Sequence, residues 1–165
     1  MIAWKTLEGL DSVNSAWLKA AINKLGGDGI TLLQARKACK DGVFNLLEVV
    51  ELYTTINYPN RELALGKMVA HIHPKISTYY KKEEIYHHNQ KCLLSGRLED
   101  IDGSAAVKAS KAATKDDATY TWTGWAVNWA SYRDAGATMA AGITIWSVTC
   151  VEDLIDIYFN GLEEA

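Results

Sequence analysis

The sequence predicts an all-α protein, a compact bundle or array of six to eight helices, and three observations carry the prediction. Apolar residues recur at i, i+3, i+4 and i+7 in separate windows, and helix-start and helix-stop residues punctuate those windows. No segment shows period-two alternation with turn residues on both sides. With 165 residues, 48% of them hydrophobic and only 2 prolines, the chain suits one helical domain over 1–165.

The first helix runs through Val13, Trp17, Ala20, Ala21 and Leu25, with Asp11 or Ser12 to cap it and Gly26-Gly27 to end it. Thr31-Leu-Leu-Gln34 has the form of a capping box, the threonine hydroxyl accepting from an orphan backbone N–H while the glutamine reaches back, and a short helix follows to about Lys40. After the Asp41-Gly42 turn, apolar residues at 43, 46, 47, 50 and 53 mark a third helix over 43–56. Asn57-Tyr-Pro-Asn60 reads as a turn, with Asn60 placed to cap a helix from Arg61 to about Ile72. Pro74 breaks that helix and suits the first turn of a fifth, which would run to about Leu94 before Ser95-Gly96.

From Ser104 an alanine-rich run has high helix propensity and little bulk. It leads into Trp122, Trp125, Trp129 and Tyr132, which fall on one stripe of a helix, expected to pack centrally. The threonine-rich start of this segment, 118–125, also carries strand propensity. Met139, Ile143 and Trp146 continue at similar spacing. Thr149-Cys-Val-Glu152 repeats the capping-box pattern ahead of a last helix with Val151, Leu154, Ile155, Tyr158 and Phe159 on its apolar face.

Composition excludes several function classes. Seventeen Lys plus Arg against 20 Asp plus Glu give a net charge of −3, which removes both a broad polyanion-binding surface and a DNA-mimicking one. The charge-free stretch between Asp134 and Glu152 is shorter than the ~20 apolar residues of a membrane span and rich in hydroxyls, so it reads as a buried helix. Cys39, Cys92 and Cys150 are odd in number and form no C-x-x-C pair, which favours a reducing compartment. MIAWKTLEGL has no basic segment followed by an apolar one, so no secretory signal is read and a cytoplasmic location is expected.

The order of features resembles a set of uncharacterised phage and bacterial helical proteins rich in Ala and Trp. The resemblance lies in Gln34-Ala-Arg-Lys-Ala-Cys39-Lys-Asp-Gly42, the amphipathic helix after it, the Ala/Trp/Tyr-rich region and the terminal Cys150-Val-Glu-Asp-Leu-Ile155, about 60 residues near 34–53 and 120–160. Some of those proteins are similar to proteins described as immunity factors of bacterial toxin systems. The resemblance implies a phage or mobile-element setting and an interaction role, and carries over no functional residue.

Two constellations have chemical potential. All 4 histidines, His71, His73, His87 and His88, fall within 18 residues, with Glu83 and Glu84 beside the second pair. Glu84, His87, His88 and His71 form the candidate metal set, since a divalent ion needs two to four such donors converging with an open position. His71 and His73, two apart, cannot both face one side of a helix, and H-E-x-x-H is absent. The opposing reading makes 81–88 a solvated charged face and His71 a core or boundary residue. The same segment holds Lys75, Lys81, Lys82, Lys91 and Arg97 with Tyr79, Tyr80 and Tyr86, a composition able to contact phosphates and stack on bases, although the net charge argues against nucleic acid.

The second constellation is Trp122, Trp125, Trp129 and Tyr132. It is either core or an exposed surface of the type that makes interface hot spots. Gly26-Gly-Asp-Gly29 lacks the G-K-[ST] of a phosphate loop and reads as an interhelical turn, and Asp100-Ile-Asp102-Gly103 reads as a local helix cap. With no complete catalytic motif, the leading expectation is a non-catalytic intracellular protein-binding module that modulates a host or toxin protein through those four aromatics. It needs no cofactor, leaves homo-oligomerisation open and has no membrane partner. The alternatives are a metal-dependent hydrolase on the 71–88 cluster and a nucleic-acid binder on the Lys/Tyr helix.

Overall fold

The computed structural model describes residues 1–10, 13, 15–146 and 151–164, and only the backbone of 142–146 and 151. Among the described residues the chain forms ten α-helices and one two-stranded sheet, so the all-α class holds while the helix count exceeds six to eight. Two features were not expected from the sequence. A short helix, α1 (Trp4–Glu8), precedes the first periodic window, and strands β1 (Ile2–Ala3) and β2 (Gly29–Ile30) pair antiparallel with Ile2 opposite Ile30. A two-residue strand is too short to show alternation, so periodicity could not announce it. The indole N–H of Trp4 reaches the Gly26 carbonyl at 3.1 Å and fixes α1 to the turn before β2.

Helices α2 (Ser15–Leu25) and α3 (Leu32–Lys40) follow. The proposed α2 caps, Asp11 and Ser12, lie outside the described residues. The α3 capping box forms as expected: Gln34 N–H donates to Thr31 Oγ1 at 3.1 Å, and Thr31 N–H donates to Gln34 Oε1 at 2.9 Å. Helix α4 (Leu46–Thr55) begins later than the expected 43, because Asn45 accepts from Leu47 N–H and caps it there. Helix α5 spans Arg61–Ile72 as read, but Asn60 does not cap it through its side chain. Asn60 sits in the left-handed region at φ 64°, and its amide donates instead to the carbonyls of Leu162 and Glu164.

The expected fifth helix from Pro74 is two elements. His73–Tyr79 is a 3₁₀ helix, Tyr80 is extended, and α6 covers Glu83–Ser95. Another 3₁₀ turn (Leu98–Asp100) leads to α7 (Gly103–Ala113), capped by Asp102 as expected. A third (Ala118–Tyr120) leads to α8 (Thr121–Ser131), so the strand propensity of 118–125 is overruled. Helices α9 (Ala135–Trp146) and α10 (Val151–Glu163) complete the chain; the second capping box needs Thr149 and Cys150, which lie outside the described residues. No helix is long and apolar enough to cross a membrane among the described residues.

Helix α5 occupies the centre, packed by α4, α6, α8 and α10, and buries Ala64, Leu65, Met68, Val69 and Ile72. The close approach of α10 depends on Gly161, where a Cβ would lie 2.7 Å from the Cα of Ala64. Helix α10 also packs on α3, where Asp156 accepts from Arg36 at 2.6 Å and pairs with Lys40 at 2.8 Å. These two cations hold the Asp156 carboxyl below its ordinary range.

Candidate functional site

Helix α8 is inverted relative to an ordinary amphipathic helix. The side facing the protein carries small residues, Thr123, Gly124, Ala126, Val127 and Ala130, all buried. Successive residues turn by about 100°, so Trp122, Trp125, Trp129 and Tyr132 fall on the opposite side. Trp122 is 43% exposed and Tyr132 is 66% exposed, while Trp125 and Trp129 are half-buried. Trp125 and Trp129 stack on one another with centroids 6.0 Å apart, and Tyr132 leans on Trp129 at 6.1 Å. The tryptophan helix thus buries its small face fully, packs Trp125 and Trp129 partly against the core and leaves Trp122 and Tyr132 exposed. From Thr121 to Tyr132 it has no charged residue.

The partner on the inner side explains the inversion. Helix α7 also presents small residues, Ala106, Ala109, Ser110 and Ala113, and the two backbones come together at Gly124. A Cβ there would lie 2.7 Å from Ser110 Cβ and would collide with the Ala106 carbonyl oxygen. Ser110 Oγ accepts from Gly124 N–H at 2.6 Å and donates to the Tyr120 carbonyl at 2.7 Å. At this spacing no tryptophan fits between the helices, so the indoles must lie elsewhere. Sequence reasoning missed Ser110; a lone serine in an alanine run was the only signal available.

The histidine segment separates into one buried network and an exposed row. His73 is fully buried. Gln90 Nε2 donates to the Ala70 carbonyl at 3.1 Å, which turns Gln90 Oε1 toward His73 Nδ1 at 2.7 Å. An amide oxygen only accepts, so His73 Nδ1 carries the proton and Nε2 accepts from Tyr80 Oη–H at 2.6 Å. Tyr80 Oη in turn accepts from Asn89 Nδ2 at 3.2 Å, and Asn89 is oriented by the backbone of Asp102 on both sides of its amide. Burial drives the His73 pKa down from 6.5 to about 4, and burial pushes the Tyr80 phenol up. The network joins α5, the 3₁₀ helix, α6 and the start of α7.

His71, Glu84, His87 and His88 are exposed, so His71 is not the core or boundary residue expected; the histidine inside is His73, at the C-terminal end of α5. His87 Nε2 lies 3.2 Å from Glu83 Oε1, and His88 Nε2 lies 2.7 Å from the Asp100 carbonyl and 3.7 Å from Cys92 Sγ. Among the described residues, no group of three or more His, Cys, Asp or Glu side chains is placed to hold one metal ion. Of the tyrosines beside the lysines, Tyr80 is buried and Tyr79 donates its hydroxyl to Asp116, so neither offers a free ring-and-hydroxyl platform. Ser77, Thr78, Tyr80, Glu83, Tyr86 and His87 line a cleft of about 450 Å³.

Two further features were not legible in the sequence. Val13, Trp17, Leu52 and Thr55 line a cleft of about 580 Å³ between α2 and α4 with Glu48 and Glu51 in its wall. Tyr53 and Tyr158 are fully buried, and their hydroxyls have no hydrogen-bond partner among the described residues. Burial raises both phenol pKa values, and it pushes the nearby Cys39 thiol up to about 12, so Cys39 is held as an inert thiol.

Comparison with known protein families, curated proteins and solved structures gives no match to any of them. The class the geometry defines is an all-α protein whose most distinctive surface is an uncharged aromatic helix face.

Proposed function

We propose that this protein is a non-catalytic protein-binding module and that the outer face of α8, Trp122, Trp125, Trp129 and Tyr132, is its contact surface. The observation that carries this reading is the uneven burial of α8: small residues fully buried, Trp122 and Tyr132 exposed on either side of the half-buried Trp125–Trp129 pair, no charge along the helix. Interface centres are enriched in Trp and Tyr and depleted in charge, and a ladder of stacked indoles is held in place before any partner arrives, so little side-chain freedom is lost on binding. A partly exposed helix face with anchors at i, i+3 and i+7 matches the way one helix is received by an apolar surface of another protein. A cytoplasmic setting, and modulation of a host or toxin protein as the resemblance implies, are the biological form this reading takes.

The test places a photo-crosslinking amino acid at position 129 of the full chain in its native host, with exposed Lys24 of α2 as control. Covalent protein adducts from position 129 and none from position 24 are expected. A position 129 as silent as position 24 would overturn the reading.

A further inference from the structure

Among the described residues, five helices end on a left-handed residue that turns the chain away from the helix axis. Helices α2, α3 and α6 place glycine there, Gly26, Gly42 and Gly96, as the absence of a Cβ favours. Helices α4 and α8 instead place Asn57 at φ 54° and Arg133 at φ 58°. Both close as a glycine end does, with Tyr58 N–H donating to the Tyr53 carbonyl at 2.9 Å and Asp134 N–H to the Trp129 carbonyl at 3.2 Å. Asparagine tolerates this backbone, but an arginine there carries a steric cost that glycine would avoid. The two exceptions share one place: Asn57 and Arg133 line the same cleft of about 280 Å³, together with Thr54, Arg61, Glu62 and Leu65.

We propose that this cleft binds a phosphate group, held by the guanidinium forks of Arg61 and Arg133 and by the side-chain amide of Asn57. Each arginine is anchored to the backbone through one nitrogen and keeps its other N–H groups for a ligand: Arg61 Nη1 donates to the Tyr58 carbonyl at 3.3 Å, and Arg133 Nη1 to the Ser131 carbonyl at 3.1 Å. Arg133 Nε stands 3.9 Å from Glu62 Oε1, beyond hydrogen-bond distance, so the carboxylate attracts the guanidinium without occupying its donors. Two arginines against one glutamate leave the cleft net positive, which selects an anion. Guanidinium forks match carboxylate and phosphate alike. Here the donors arrive from two sides, the α4–α5 turn and the α8–α9 turn, which suits the tetrahedral oxygens of phosphate better than a flat carboxylate. Thr54 Oγ1 gives its proton to the Val50 carbonyl at 2.8 Å and can only accept from a ligand hydroxyl. The cleft lies just below the ordinary range of ligand pockets, about 300–1,000 Å³, so the ligand is inorganic phosphate or a short phosphate monoester. The inference goes beyond the aromatic face of α8 and does not rest on it.

The experiment titrates the full chain with inorganic phosphate and, separately, with glycerol 3-phosphate at a constant ionic strength of about 0.15 M. Phosphorus NMR reads binding, and circular dichroism reads the Tm of each variant. Saturable binding is expected with a dissociation constant of about 0.1–1 mM, weakened at least ~10-fold by R61Q and by R133G. R133G separates binding from folding. Glycine suits the left-handed backbone, so the Tm should stay at or above that of the wild type while phosphate is lost. E62Q should tighten binding at least ~3-fold, because a neutral amide no longer repels the anion. Stronger binding of the ester identifies a phosphorylated small molecule as the ligand, and stronger binding of phosphate the free ion; either supports the site. No saturable binding of either probe below about 10 mM overturns the inference. Binding that survives both R61Q and R133G also overturns it, as does an E62Q variant that binds phosphate more weakly than the wild type.

Discussion

The Ser110 hydroxyl stands between the backbone N–H of Gly124 and the Tyr120 carbonyl, two groups that an uninterrupted helix would bond to each other. A side chain of α7 is thereby stitched into the first turn of α8, and the helices approach closely enough that position 124 has no room for a Cβ.

Gly124→Ala should therefore reverse the usual sign of a Gly→Ala change in a helix, which stabilises by ~1 kcal/mol through propensity. The expected loss is about 2–4 kcal/mol, from collision with the Ala106 carbonyl and displacement of Ser110. Ser110→Ala should cost only about 1 kcal/mol, because Gly124 N–H and the Tyr120 carbonyl can then close on each other. Urea unfolding of the two variants reads the ranking, and an equal or reversed order would refute the close approach.

His73 makes stability depend on pH. Its folded pKa is depressed to about 4 from 6.5, so the unfolded chain takes up the proton first as pH falls. The contribution is fully present above about pH 6.5 and is lost progressively down to about pH 4, amounting to ~3 kcal/mol. Asp117 and Asp156, also held low, act in a separate window below their ordinary value of 3.8. Unfolding free energies at pH 7, 5.5 and 4.5 should fall in that order, and a His73→Asn variant should lose the slope; a flat profile for the wild type would exclude the buried neutral imidazole.

The buried hydroxyls of Tyr53 and Tyr158 lose water on folding without gaining a partner among the described residues. Tyr158→Phe keeps the ring packing against Phe159, whose centroid is 5.6 Å away, and removes the orphan group. The expected change is a gain of about 1 kcal/mol, read as a Tm rise of about 2–4 °C. A drop in Tm would mean that the hydroxyl has a partner.

Trp122→Ala should change stability by less than ~1 kcal/mol, and Trp129→Ala, half-buried and stacked, by about 1–2 kcal/mol. A buried residue of comparable size such as Tyr158 should cost ~3–5 kcal/mol when cut to Ala. Thermal melts of the three variants separate a surface from a core; a Trp122→Ala loss near that of Tyr158→Ala would place the stripe inside.

What could be read from the sequence follows how local its causes are. The Thr31–Gln34 box and the Asp102 cap were legible because donor and acceptor lie three residues apart. Asn60 was misread because its partners, the carbonyls of Leu162 and Glu164, are about a hundred residues away. The aromatic stripe was visible as a period, but its direction was not: that depends on α7 being narrow enough for α8 to press its own small face against it. Among the histidines, the two-residue offset showed that His71 and His73 could not share one side of a helix, but His71 rather than His73 was read as the core or boundary residue, and nothing local revealed that Gln90 and Tyr80 would fix the tautomer of His73.

The seating of α10 against both α3 and α5 has a consequence for how the chain is made. The ion pairs that fasten α3 use Asp156, which lies 116 positions beyond Lys40. At ~5–20 residues per second, a ribosome delivers that aspartate roughly 6–23 s after the lysine it will bind. From its own synthesis until α10 arrives, each of α3 and α5 waits with an apolar face uncovered, and over that stretch the nascent chain is open to chaperones and proteases.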